Sequence, residues 1–103
     1  MNDFILNNGV KMPQVEFGTF LLQGEDCKNA VREAVTAGYR MIDTAEAYGN
    51  EKAVGDGIKE SEIDREELFL VTKVNFKSYE HTRETVKSSL RLLGTDYLDL
   101  VLL

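Results

Sequence analysis

Gly38-Tyr39-Arg40-Met41-Ile42-Asp43-Thr44-Ala45-Glu46-Ala47-Tyr48-Gly49-Asn50 is the stretch that decides how this chain is read. A short apolar run ends in an acid, Asp43, and a phenol, Tyr48, follows it. Leu68-Phe69-Leu70-Val71-Thr72-Lys73 repeats the design, with a lysine at the end of the run. In parallel α/β folds, polar residues at the C-terminal ends of strands gather at one face, where sites form. Neighbouring strands lie ~4.8 Å apart, so Asp43 and Lys73 are within pairing range if their strands adjoin. An ammonium beside a phenol favours the phenolate, which lowers a tyrosine from ~10 toward working pH. Such a tyrosine suits the protonation of a developing alkoxide. The same spacing equally describes a structural ion pair with Tyr48 packed beside it.

Outward from this stretch the pattern alternates. Phe4-Ile5-Leu6 and Val10-Lys11-Met12 flank Asn8-Gly9, a two-residue hairpin signal in which both residues take positive φ. Gln14 to Phe20 reads as a first strand. Cys27, Ala30, Val31, Ala34 and Val35 then follow the helical period, and Gly38 stands where a helix C′ residue belongs. Arg40-Met41-Ile42 is the second strand. Asn50 caps a second helix, Glu51 suits its macrodipole, and Ala53, Val54, Gly57 and Ile58 form its inner face. Gly55-Asp56-Gly57 inside that helix reads as close packing. Leu68 to Val74 is a third strand, buried on both faces. Thr82, Val86, Leu90 and Leu93 stripe a third helix, Gly94 ends it, Thr95-Asp96 turns, and Tyr97 to Leu103 begins a fourth strand.

The order is therefore a hairpin followed by β-α-β-α-β-α-β, which implies a parallel sheet with right-handed crossovers. Pattern alone leaves a doubly wound open sheet and part of a (β/α)8 barrel both open. No Gly-x-Gly-x-x-Gly follows the first strand, so a Rossmann dinucleotide unit is not supported. A phosphoacceptor signalling domain is disfavoured too, because Asp43 has no acidic pair at the end of strand one.

Composition narrows the function classes. With 103 residues the chain holds one domain at most. A net charge of −6, with Lys and Arg scattered, argues against nucleic acid and anionic membrane as partners. Cys27 is the single cysteine, so the expected setting is reducing and cytoplasmic. The first residues carry no basic, apolar leader pattern, and no run approaches the ~20 apolar residues of a membrane span.

Three segments in register carry a family resemblance. Gly38 to Glu51 with Val54-Gly55 resembles the signature segment of the aldo-keto reductases. Arg65-Glu66-Glu67-Leu68-Phe69-Leu70-Val71-Thr72-Lys73-Val74 resembles that family's third-strand segment, and Ser89 to Leu100 its helix-three-to-strand-four segment. Asn8-Gly9-Val10-Lys11-Met12-Pro13 is similar to the hairpin that caps the barrel bottom. The resemblance covers nearly all of the chain. It implies the parallel (β/α)8 TIM barrel of that family, with residues 1–103 as the N-terminal part of a single barrel domain: the hairpin plus (βα)3 and strand four.

The resemblance also implies an activity: NADPH-dependent hydride transfer to small aldehydes or ketones, with NADH not distinguished. Tyr48 matches the general acid, Lys73 its pKa-lowering partner, and Asp43 the acid paired with that lysine. Asp43 also lies beside the nicotinamide ribose, and Gly18-Thr19 lines the cofactor. No metal is implied. The family's carbonyl-orienting histidine falls directly after Leu103, and strands five to eight lie beyond. The 103 residues alone are therefore expected to be inactive, and to self-associate through the open edges of strands one and four. The other reading is a catalytically incomplete relative serving as a binding or assembly module. Glu16 departs from the family's usual glycine, and a carboxylate inside a barrel is costly unless paired. His81 reads as a solvated loop residue and Cys27 as a buried, inert thiol. Tyr79 and Phe76 either line a substrate mouth or merely pack.

Overall fold

The computed structural model describes residues 3–103. An antiparallel hairpin, β1 (Asp3–Ile5) and β2 (Lys11–Pro13), precedes the sheet. Its turn differs from the expected one. Only Gly9 takes positive φ, at 86°, while Asn8 does not. The Gly9 N–H donates to Leu6 O and the Leu6 N–H to Val10 O, so the loop has three residues. A left-handed glycine closing such a loop needs no second positive φ. Asn8 serves instead as an acceptor, its Oδ1 taking the Val10 N–H at 3.0 Å.

Four parallel strands follow: β3 (Phe17–Gly18), β4 (Met41–Asp43), β5 (Phe69–Lys73) and β6 (Leu100–Leu102), side by side in that order. The helices α1 (Gly24–Ala37), α2 (Glu51–Ser61) and α3 (Tyr79–Leu93) make the crossovers. Gly38 ends α1 at φ 116°, donating its N–H to Ala34 O and Val35 O, as its position predicts. The edge strands are shorter than Gln14–Phe20 and Tyr97–Leu103 suggest. Among the described residues each has one neighbour, so apolar alternation there runs on without a ladder to pair with. Arg65 accounts for the late start of β6. Its guanidinium donates to Leu68 O, Thr95 Oγ1 and Tyr97 O, pairs with Asp99 at 2.9 Å and covers the Tyr97 ring at 4.0 Å.

Strand alternation separates two faces and resolves the choice left open by pattern. Ile42 and Leu70 pack with Cys27, Val31, Val35, Val54, Ile58 and Leu93 of the helices. Met41, Phe69 and Val71 point the other way, joined by Met12 of the hairpin and Leu100. All three helices therefore lie on one side of a sheet whose strands run in chain order. A doubly wound sheet would divide its helices between the faces; one-sided winding is the arrangement of a barrel wall.

The α3 stripe is also corrected. Its buried line is Thr85, Ser89 and Leu93, with Thr82, Val86 and Leu90 only half-buried. Ser89 occupies that line because it faces an acid, whereas Thr85 lies 3.4 Å from His81 Nε2 one turn earlier. Glu51, 3% exposed, accepts hydrogen bonds from Ser89 Oγ at 3.0 Å and from Thr72 Oγ1 on β5 at 2.7 Å. Glu51 thus joins three elements instead of facing solvent at a helix start. Glu51→Ala is expected to leave two buried hydroxyls without their acceptor and to cost about 2–4 kcal/mol. A urea unfolding midpoint unchanged from the parent chain would contradict this.

Candidate active site

β4 ends at Asp43 and β5 at Lys73, and Asp43 pairs in register with Val71, two residues before Lys73. Two residues is one strand repeat, so Asp43 and Lys73 face the same side, opposite the helices. The Lys73 ammonium donates to Asp43 Oδ1, to Thr44 O at 3.1 Å and to the Tyr48 hydroxyl at 3.4 Å. It also stands 5.1 Å from the centroid of the Tyr48 ring. Partial burial pushes Lys73 down, but the hydrogen bonds to Asp43 and Tyr48 and the attraction of both groups outweigh it. The net direction is upward, so Lys73 holds its charge between the acid and the phenol.

Tyr48 closes a 3₁₀ turn, Glu46–Tyr48, and Gly49 follows at φ 68°. Its carbonyl accepts from Gln23 Nε2 at 2.8 Å, and its ring lies 5.2 Å from that of Phe20. Asn50 supports the turn from behind. Sequence position makes it the α2 cap, yet its side chain caps nothing. Instead Nδ2 donates to Thr19 O at 2.8 Å and Leu22 O at 3.0 Å, while Oδ1 accepts from Thr44 Oγ1 at 2.8 Å. One buried amide ties the ends of β3 and β4 to the segment carrying Tyr48. The Asn-Glu pair at a helix start reads as capping chemistry, so no sequence signal revealed these roles.

Thr19 is fully buried, and its hydroxyl and N–H both donate to Asp43 O, at 3.0 and 3.1 Å. It fixes the strand ends to each other and directs no hydroxyl outward. Gly18 is exposed, with no atom within 4 Å of where a Cβ would stand. Bare backbone there leaves open space beside Asp43. Phe76 and Tyr79, 62% and 75% exposed, follow β5 at the same end of the sheet.

His81 sits in the first turn of α3, its N–H donating to Ser78 Oγ and its ring 3.4 Å from Thr85 Oγ1. No hydrogen bond among the described residues joins it to Asp43, Tyr48 or Lys73. Cys27 is buried in the core, and burial pushes its thiol up, away from the reactive thiolate. The marked recesses of the surface lie elsewhere, about 400 Å³ beneath the hairpin and about 460 Å³ between α2 and α3. Neither includes a member of the trio, because Asp43, Tyr48 and Lys73 stand on the uncovered face of the sheet. The chemistry, not the depth of a recess, marks the site. No helix of the described residues is long and apolar enough to cross a membrane.

Comparison with known proteins gives the family and the fold. Residues 15–103 match the model of the aldo/keto reductase family. Morphine 6-dehydrogenase of Pseudomonas putida is 46% identical over 101 residues, covering 95% of this chain and 34% of its own length. The crystal structure of an aldo/keto reductase from Brucella melitensis superposes with a TM-score of 0.92 at 44% identity, over 96% of this chain and 40% of that one. The Bombyx mori aldo-keto reductase, solved in complex with NADP, gives 0.87 at 37% identity, over 96% of this chain and 36% of its own. The chain thus spans little more than a third of the proteins it resembles. Its hairpin and (βα)3β run correspond to part of a (β/α)8 barrel.

Proposed function

Since the chain belongs to the aldo/keto reductase family, we propose that it is the N-terminal part of a single barrel domain that reduces small aldehydes and ketones to alcohols. The observation that carries this reading is the Lys73 ammonium held between Asp43 and the Tyr48 hydroxyl. Reduction of a carbonyl needs a hydride at carbon and a proton at oxygen. A reduced nicotinamide supplies the hydride when bound. The Bombyx mori relative, solved with NADP, supports NADPH ahead of NADH as the cofactor. Asp43 and the exposed backbone at Gly18 would hold the nicotinamide end, with buried Thr19 fixing that strand end to Asp43 from behind. Tyr48 supplies the proton, passing it from its hydroxyl to the developing alkoxide. Lys73 stabilises the phenolate left behind, and Asp43 keeps Lys73 charged and aimed. The buried, unpaired Cys27 fits a cytoplasmic setting.

The test is a chimera in which residues 1–103 replace the corresponding part of the Brucella melitensis protein. It should oxidise NADPH with small aldehydes, whereas the 103 residues alone should not. A folded chimera without turnover would overturn the assignment. For the isolated chain we also propose self-association through the β3 and β6 edges, where Phe20, Leu21 and Leu103 stand 64%, 77% and 80% exposed. Light scattering that finds a stable monomer would refute it.

A further inference from the structure

Thr19-Phe20-Leu21-Leu22 forms a tight turn after β3, closed by the Leu22 N–H donating to Thr19 O at 3.1 Å. Its third residue, Leu21, has φ 69°, a left-handed backbone that a turn ordinarily gives to glycine or asparagine. A leucine held there is strained, and such strain persists only where the surroundings over-determine it. Leu21 does not supply that hold itself, since it stands largely in solvent. The hold comes from Asn50, 2% exposed, whose Nδ2 donates to both ends of the turn, Thr19 O and Leu22 O. Its Oδ1 accepts from Thr44 Oγ1, and Thr44 O in turn accepts from the Lys73 ammonium. Phe20 stands between the two ends of the turn. Among the described residues it carries the one aromatic ring packed against Tyr48, tilted to it by 55°.

We propose that Asn50 is a positioning residue: it keeps the strained Thr19–Leu22 turn closed, and the turn keeps the Phe20 ring against Tyr48. The inference rests on the proposed reductase site and adds what holds its proton donor in place. Without the two Nδ2 bonds, Leu21 relaxes to negative φ and the peptides on either side of it rotate. Phe20 then swings off Tyr48, whose ring loses that wall. A role in stability alone would not couple a buried asparagine to the backbone of an exposed leucine. The strain at Leu21 therefore gives Asn50 a signature of its own.

The experiment is NMR of the 103-residue chain, which needs neither cofactor nor turnover, so a failed chimera assay leaves its outcome intact. In the parent chain the one-bond Cα–Hα coupling of Leu21 should report positive φ, and Phe20 and Tyr48 should show ring-to-ring Overhauser contacts. Asn50→Ala should return Leu21 to negative φ and abolish those contacts. Leu21→Gly makes positive φ unstrained, so adding it to Asn50→Ala should restore them. Rings that stay together in a folded Asn50→Ala chain would overturn the proposal, and so would rings that stay apart in the double variant. Should Asn50→Ala fail to fold, recovery of a folded chain by Leu21→Gly supports the proposal, and no recovery overturns it. In the active chimera, Asn50→Ala should lower kcat about 10–100-fold with a smaller change in KM, the scale of a misplaced reacting group. Leu21→Gly should restore most of that loss. Separated rings with unchanged kcat would deny Asn50 its positioning role.

Discussion

Tyr48→Phe in the active chimera is expected to lower kcat for aldehyde reduction by at least ~10²-fold, the scale of a lost general acid. The change deletes one oxygen and little else. Phenylalanine keeps the ring beside Phe20, and the backbone bonds of Tyr48 to Ala45 and Gln23 do not depend on the hydroxyl. Lys73 retains Asp43 and Thr44 O as acceptors, so the cluster should not collapse. Stability and NADPH affinity should change little, which distinguishes this variant from one that unfolds the mouth. Steady-state kinetics with a fluorescence measurement of NADPH binding provide the check. Unaltered kcat would assign the proton to another group and remove Tyr48 from the mechanism.

Gly57→Ala and Gly55→Ala should each destabilise the chain by about 1–3 kcal/mol, against the sign that helix propensity gives. In an exposed helix, Gly→Ala gains ~1 kcal/mol. Here a Cβ at Gly57 would stand 2.5 Å from Lys28 O and 2.9 Å from Val31 Cβ of α1. At Gly55 it would stand 2.6 Å from Leu93 O at the end of α3. Both obstacles include backbone, which cannot turn aside as a flexible side chain does. The three helices would have to separate, loosening the layer around Val31, Val54 and Leu93. Chemical denaturation of the 103-residue chain measures the loss, and a raised midpoint in either variant would contradict it.

These two positions also mark what a reader of the sequence can and cannot see. Asp43 and Lys73 were legible because each closes an apolar run, and strand order alone brings such ends together. Tyr48 was singled out as the phenol that follows Asp43 in its loop, and its hydroxyl does lie 3.4 Å from the Lys73 ammonium. The two helix glycines were rightly read as packing residues, since no phosphate-binding turn surrounds them. Glu51 was not legible. An acid in a first helical turn satisfies the macrodipole, and nothing local announces that Thr72 and Ser89 will arrive from distant segments. The same omission misplaced the α3 stripe, because Ser89 looks solvent-facing until an acid is set against it. The β3 boundaries failed for another reason. Val15 and Phe17 alternate as a strand does, but ladder length depends on a neighbour, and only Phe17 and Gly18 meet β4. Winding direction, which separates barrel from open sheet, is likewise a property of packed helices and invisible to periodicity.

The unequal lengths of the strands have a mechanical consequence. β5 is flanked by a strand on each side and buried along most of its length, which puts its amides among the most costly in the sheet to open. Lys73 rides on that strand, with Asp43 on its immediate neighbour. β3 is held by two register pairs at a sheet edge, the least costly place in the sheet for backbone to breathe. Gly18 and Thr19 occupy that breathing edge, and Asn50 is the tether that limits its excursion. The protein therefore sets Asp43 and Lys73 on an anvil and the exposed backbone at Gly18 on a spring.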